Sequence, residues 1–127
     1  MKIKFITPSS VPGKIKCTVH LNGKLGFSQA AVKKLDISEA NYIKIGINDE
    51  DRNDSGLYIA ILKRKDEDAF KVNKAGNYYY LNTMYLFDEL KIDYRKKKII
   101  YDIQEIEHEG MKMYKLDKRE LNRNPKK

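Results

Sequence analysis

Cysteine is nearly absent: Cys17 is the only one in 127 residues. A lone cysteine excludes an internal disulfide and a thiolate-built zinc site, and it fits a reducing cytosol. It alternates with Ile15 and Val19 along an apolar strand face. That setting points to packing, not to a reactive thiol. No apolar run approaches the length of a membrane span. The stretch MKIKFITPSS has too short an apolar core for a signal peptide. A glycine-rich phosphate loop is missing as well, because Gly23-Lys24-Leu25-Gly26 lacks the Walker spacing. Ser28 has no evident base partner, and helix capping accounts for it.

Metal ligands are equally thin. Asn48–Gly56 begins like a calcium loop, with Asp49, Asp51 and Asn53 at alternate positions. The match then fails. Asp54 stands where the glycine is required, and Ala60 where the bidentate glutamate is required. The histidines number two, His20 and His108. His108 sits among Glu105, Glu107 and Glu109, all competent ligand types. Neighbours on a two-residue period do not converge, however. The expectation is a non-enzymatic protein without metal or cofactor.

What the chain does carry is positive charge. Lysine and arginine total 26 against 18 acidic residues, giving a formal net charge of +8 and a sequence pI near 9.4. That balance favours an anionic partner such as nucleic acid. The length fits one domain, expected over residues 1–118, with a flexible basic tail at 119–127.

The organising stretch is Gly23–Ile47, which reads as strand, capped helix, strand. Met1–Ile6 alternates weakly and reads as a short edge strand or an arm; the proline-bearing TPSSVPG that follows is a loop. Ile15, Cys17, Val19 and Leu21 alternate with Lys16, Thr18 and His20, as in a half-buried strand. Asn22-Gly23 is a strong hairpin turn. Leu25 and Phe27 point inward on the return strand, and Ser28 caps a helix over Gln29–Leu35. Strands follow at Tyr42–Ile47 and Leu57–Lys65. After a strand at Phe70–Val72, the loop NKAG and a strand at Asn77–Leu81, Asn82 is expected to cap a helix over Thr83–Leu90. A last hairpin joins Ile99–Ile106 to Met111–Leu116.

An internal match carries Leu25 and Phe27 onto Tyr79 and Leu81, and Ser28 onto Asn82. With small insertions Leu35 falls on Leu90, and Ile43, Ile45 and Ile47 on Ile99, Tyr101 and Ile103. The expected fold is therefore α+β: two ββαββ repeats, 14–64 and 70–118, forming a curved, mainly antiparallel sheet system with two short helices. Gly23 and Lys24, the alternating Leu25 and Phe27, the helix start at Ser28, and Leu35 and Ile37 before Tyr42 form a pattern. Over residues 14–64, and more loosely 70–118, it resembles swapped-hairpin domains of the AbrB and MazE type. That resemblance implies DNA binding. From Asn41 to Ile92 the order of four strands then a helix is similar to the PUR-alpha and Whirly families, which implies single-strand binding.

Candidate contacts with nucleic acid are the cations Lys14, Lys16, Lys24, Lys63, Arg64, Lys65, Lys71, Arg95, Lys96 and Lys97, for phosphate neutralisation. Tyr78 and Tyr80 share the outward face of their strand if Tyr79 and Leu81 face the core. Aromatics interleaved with lysine on a sheet face suit base stacking. The expected function is thus a nucleic-acid-binding protein of the cytoplasm, a transcriptional regulator or a single-strand binder, with single- or double-stranded DNA as partner and no membrane. The alternative is an assembly module that forms a homodimer through the tyrosine-bearing face.

Overall fold

The computed structural model describes residues 1–5 and 15–123. The elements are β1 (Lys16–Val19), β2 (Leu25–Phe27), α1 (Gln29–Leu35), β3 (Tyr42–Gly46), β4 (Leu57–Leu62) and β5 (Ala69–Lys71). They continue with β6 (Asn73–Ala75), β7 (Tyr78–Leu81), α2 (Met84–Glu89), β8 (Lys97–His108) and β9 (Met111–Asn122). Every pairing is antiparallel. The strands form one nine-stranded sheet in the order β5-β3-β4-β9-β8-β1-β2-β7-β6.

The two ends of that order are neighbours in the chain. Only Val72 separates β5 from β6. β5 pairs with β3, setting Lys71 opposite Tyr42, and β6 pairs with β7, setting Asn73 opposite Tyr80. The run Ala69–Ala75 thus draws the sheet into a nearly closed, barrel-like form. Val72 at the join is buried, and its N–H donates to the Asn41 carbonyl at 3.1 Å. Near-closure also leaves little free edge for unwanted pairing.

This architecture corrects the expectation of an α+β fold of two ββαββ repeats. Of the described residues 46% are strand and 11% helix, in one antiparallel sheet. The reason is the length of the strands. β1 has 4 residues and β2 has 3, too few to make a stable sheet within the first half. β1 and β2 pair with each other, and each also takes a partner from the second half: β1 pairs with β8 and β2 with β7, as β4 does with β9. The supposed counterparts also differ in size: β3 and β4 have 5 and 6 residues, whereas β8 and β9 have 12 each. β9 continues through Asn122 because β8 pairs with it along its whole length. Residues 119–122, expected in the tail, are therefore strand.

The inward faces follow from two-residue alternation. Cys17, Val19, Leu25, Phe27, Ile43, Ile59, Leu81, Ile99, Tyr101 and Leu116 are buried in one core. Burial pushes the Cys17 thiol far above its ordinary range, so it is inert packing. Ser28 Oγ accepts from the Ala31 N–H at 3.1 Å and from the Lys16 N–H at 3.2 Å, which caps α1 and ties it to β1. α2 starts one residue later than the Asn82 cap predicts. Thr83 holds the N-cap position, but its hydroxyl donates to the Gly23 carbonyl at 2.8 Å and makes no cap bond. In this way α2 grips the β1–β2 turn.

Phe87 is the side chain that α2 contributes to the core. Its ring stacks on Tyr101 with centroids 6.4 Å apart and meets Tyr94 edge-on at 6.5 Å. Phe87→Ala is expected to cost about 3–5 kcal/mol, read from the urea midpoint at unchanged slope; a cost under about 1 kcal/mol would show that α2 does not seal the core. The Tyr101 hydroxyl, by contrast, is buried with no hydrogen-bond partner among the described residues. Tyr101→Phe removes that unmet group while keeping the ring, and is expected to stabilise the protein by about 1 kcal/mol in the same titration.

Candidate functional site

The outer face of the sheet holds the densest grouping of predicted site residues. Register sets Thr18 opposite Gly26 and Gly26 opposite Tyr80, so one row crosses β1, β2 and β7. Inward-facing Leu25, Phe27 and Leu81 fix this orientation, because their neighbours must point outward. Tyr78 and Tyr80 stack on each other with centroids 5.7 Å apart and an interplanar angle of 18°. The Lys24 ammonium lies 4.6 Å from the Tyr80 ring centroid, within cation–π range. Tyr78 Oη and His20 Nε2 share a hydrogen bond, and their rings meet edge-on at 5.5 Å.

Gly26 makes this arrangement possible. A Cβ built there would lie 1.4 Å from Tyr78 Oη and 2.7 Å from His20 Nε2. Any side chain at Gly26 would expel the Tyr78 phenol. The missing Cβ is thus a seat for that ring, which lets β7 reach across β2 to β1.

These residues line a cleft of about 810 Å³ whose walls also carry Lys98 of β8 and Arg123 just past β9. Among the described residues, no aspartate or glutamate lines it. Arg123 Nη2 donates to the Tyr94 carbonyl at 2.9 Å, while its buried Nε has no partner among the described residues. Among the described residues, ion pairs neutralise Arg95 with Asp88 at 3.3 Å and Lys97 with Glu120 at 3.3 Å, but not Lys24, Lys98 or Arg123. His20 lies in the same cleft. Partial burial, then Arg123 and Lys98, hold its pKa below the ordinary 6.5. Burial raises the Tyr78 phenol, so both partners of their bond are neutral near neutral pH.

Of the predicted contacts, Lys24, Tyr78 and Tyr80 meet in the cleft. Lys16 lies on the same face of β1, opposite Asp102, which is held by Arg119 at 2.6 and 3.1 Å. Lys63, Arg64 and Lys65 are exposed beyond the end of β4, which β9 and β8 separate from β1. Lys71 is exposed on β5. Arg95 covers the Tyr94 ring at 4.6 Å, and Lys96 is exposed in the turn before β8. Lys14 lies outside the described residues.

His20, Lys98 and Arg123 complete the cleft but were not among those predicted contacts. For Lys98 a signal existed: alternation with buried Ile99 and Tyr101 places it outward on β8. Arg123 had none, since its position depends on the full length of β9. The calcium-like loop is closed on itself. Asp54 accepts from Gly56 N–H at 2.9 Å, from Asn48 Nδ2 at 3.2 Å and from the Tyr58 hydroxyl. Those bonds hold its carboxyl below the usual range. No group of His, Cys, Asp or Glu among the described residues is placed to hold a metal ion. No described helix is long and apolar enough to cross a membrane. Neither a known protein family, a curated protein nor a solved structure matches the chain.

The charge around His20 has a thermodynamic consequence. Its folded pKa is lower than its unfolded one, so the unfolded chain binds more protons as the pH falls. The groups facing it are Lys24, Tyr78, Tyr80, Lys98 and Arg123. Stability held above the ordinary value of 6.5 is therefore lost as the pH drops through and below it. Between about pH 7.5 and about pH 5.5, roughly one unit either side of the ordinary histidine value, the urea midpoint should fall further for the parent than for His20→Gln. Equal losses in both proteins would mean that neither burial nor the cleft cations lower the His20 pKa.

Proposed function

We propose that the chain is a non-enzymatic single-strand nucleic-acid-binding protein, and that the tyrosine-lined cleft is its site. The observation that carries this reading is the composition of the cleft wall. Lys24, Lys98 and Arg123 stand beside stacked Tyr78 and Tyr80, with no carboxylate among them. A strand of nucleic acid presents two chemistries, flat bases and spaced phosphates, and this wall offers a partner for each. A base stacked on the Tyr78 side is worth roughly 1–3 kcal/mol. The cations take phosphates and release counterions, which makes binding salt-dependent.

A single strand is favoured over a duplex by geometry. The aromatics stand between side chains in a cleft on the outer sheet face, and paired bases expose only their edges to such a surface. The resemblance to swapped-hairpin DNA-binding domains includes Lys24, which is one of the cleft cations. An assembly face built on the same tyrosines is disfavoured because two copies would bring Lys24, Lys98 and Arg123 against their own kind.

Fluorescence anisotropy with labelled single- and double-stranded oligonucleotides, at several salt concentrations, tests the proposal. Single strands are expected to bind in the micromolar range or tighter, with affinity falling as salt rises. Tyr78→Ala/Tyr80→Ala is expected to weaken binding by about tenfold or more. Lys98→Glu/Arg123→Glu is expected to weaken it and to flatten the salt slope. Salt-independent binding, or none by the parent, sinks the reading.

A further inference from the structure

A second surface has the opposite electrical character. The β4–β9 ladder ends at Ile59 opposite Tyr114, and the β1–β8 ladder ends at Lys16 opposite Asp102. β8 and β9 run on past both as a two-stranded hairpin, turning at Glu109 and Gly110. Between this hairpin and the outer face of β3–β4 lies a groove of about 800 Å³. Ala60, Ile106, Met111 and Met113 line it, and Ile47 borders it. Met111 and Ile47 are each 56% exposed.

The rim of the groove carries Asp49, Glu50, Asp68 and Glu109. Lys44, the one lysine lining it, is engaged by Asp66 at 3.6 Å. On a chain of formal net charge +8 this is a local reversal of sign. The segment that fits it must be apolar on one side and cationic on the other.

Such a segment is present in the chain itself. In Met1–Phe5, Lys2 and Lys4 alternate with Ile3 and Phe5. These residues pair with no strand, and Ile3 and Phe5 are 65% and 87% exposed. An extended arm of this kind presents both apolar side chains to one surface and both ammonium groups to the other. The arm of the same copy lies with its apolar side chains in solvent, outside its own groove.

We propose that the groove receives the Met1–Phe5 arm of a second copy of the chain. Ile3 and Phe5 rest on Ile106, Met111 and Met113, while Lys2 and Lys4 meet the acidic rim. Beyond the ladders the hairpin edge pairs with no other strand among the described residues, which suits strand addition, the usual way an extended peptide joins a sheet. Two short arms bury less surface than an obligate dimer needs, so the association is concentration-dependent and of micromolar strength.

Light scattering on nuclease-treated protein, from about 1 to several hundred micromolar, tests this. The apparent mass is expected to rise about twofold across that range. Lys2→Glu/Lys4→Glu and, separately, Asp49→Lys/Glu50→Lys should each hold it at the monomer value. Mixing these two variants should restore one productive arm–groove contact and raise the mass again. All these residues are exposed, so folding is not at stake. A parent that stays monomeric, or a dimer indifferent to the arm variants, overturns the proposal. So does a Phe5→Cys/Met111→Cys chain whose disulfide forms only within one copy, which would place the arm in its own groove.

Discussion

Everything in this molecule depends on the run from Ala69 to Ala75, because it serves both ends of the sheet. On one side it pairs with β3, and on the other with β7. A strand with neighbours on each flank is an ordinary interior strand. Here the neighbours come from opposite ends of the strand order, so pairing with both forces the sheet to curl. Val72 is the pivot, buried in the core at the change of partner. Curling turns the inner faces of all the strands, short ones such as β1 and β2 included, toward one shared core. Neither short strand would bury its apolar residues without that. The closed shape is thus a cooperative outcome: the core exists because the sheet curls, and the curl holds because the core fills it.

Once the inside is filled, the outside is determined. Strand alternation leaves no freedom for Thr18, Lys24, Gly26, Tyr78, Tyr80 or Lys98, each of which neighbours a residue in the core. The one adjustable position is Gly26. Its missing Cβ leaves room for the Tyr78 hydroxyl to cross β2 and bond His20. The pair of tyrosines is then fixed from both sides, by mutual stacking and by that bond. A preordered aromatic platform loses less conformational entropy on binding than two free rings would. Partial burial in this setting, and then the nearby Arg123 and Lys98, lower the pKa of His20.

Much of this was legible in the residues. Alternation located β1, β2, β7 and the core-facing Leu25, Phe27 and Leu81, and so oriented Tyr78 and Tyr80 outward. The Asn22-Gly23 turn, the Ser28 cap and the Cys17 packing role follow from local chemistry and recur in the structure. Partnership did not follow. Alternation states which face a strand buries, but not which strand lies beside it. The pairing of β1 with β8 joins residues far apart in the chain, as does that of β2 with β7. A similar order of elements in both halves therefore read as two units, whereas the ladders interleave them. The same blindness hid Arg123, whose place at the cleft exists only because β9 runs its full length beside β8.

The charge is also less uniform than a single net value implies. Cations gather at the cleft on the β1, β2, β7 and β8 sector. Carboxylates rim the groove between β3–β4 and the projecting hairpin. In the strand order β4 and β1 are separated by β9 and β8, so the two surfaces look in different directions. A partner in one does not occlude the other. If the arm of one copy lies in the groove of the next, the cleft of each copy stays open, and two clefts are held at a fixed spacing. A strand long enough to visit both then gains effective concentration at the second site, without any new contact. Weak self-association and weak binding per site are therefore compatible with firm attachment to a long strand and ready release from a short one.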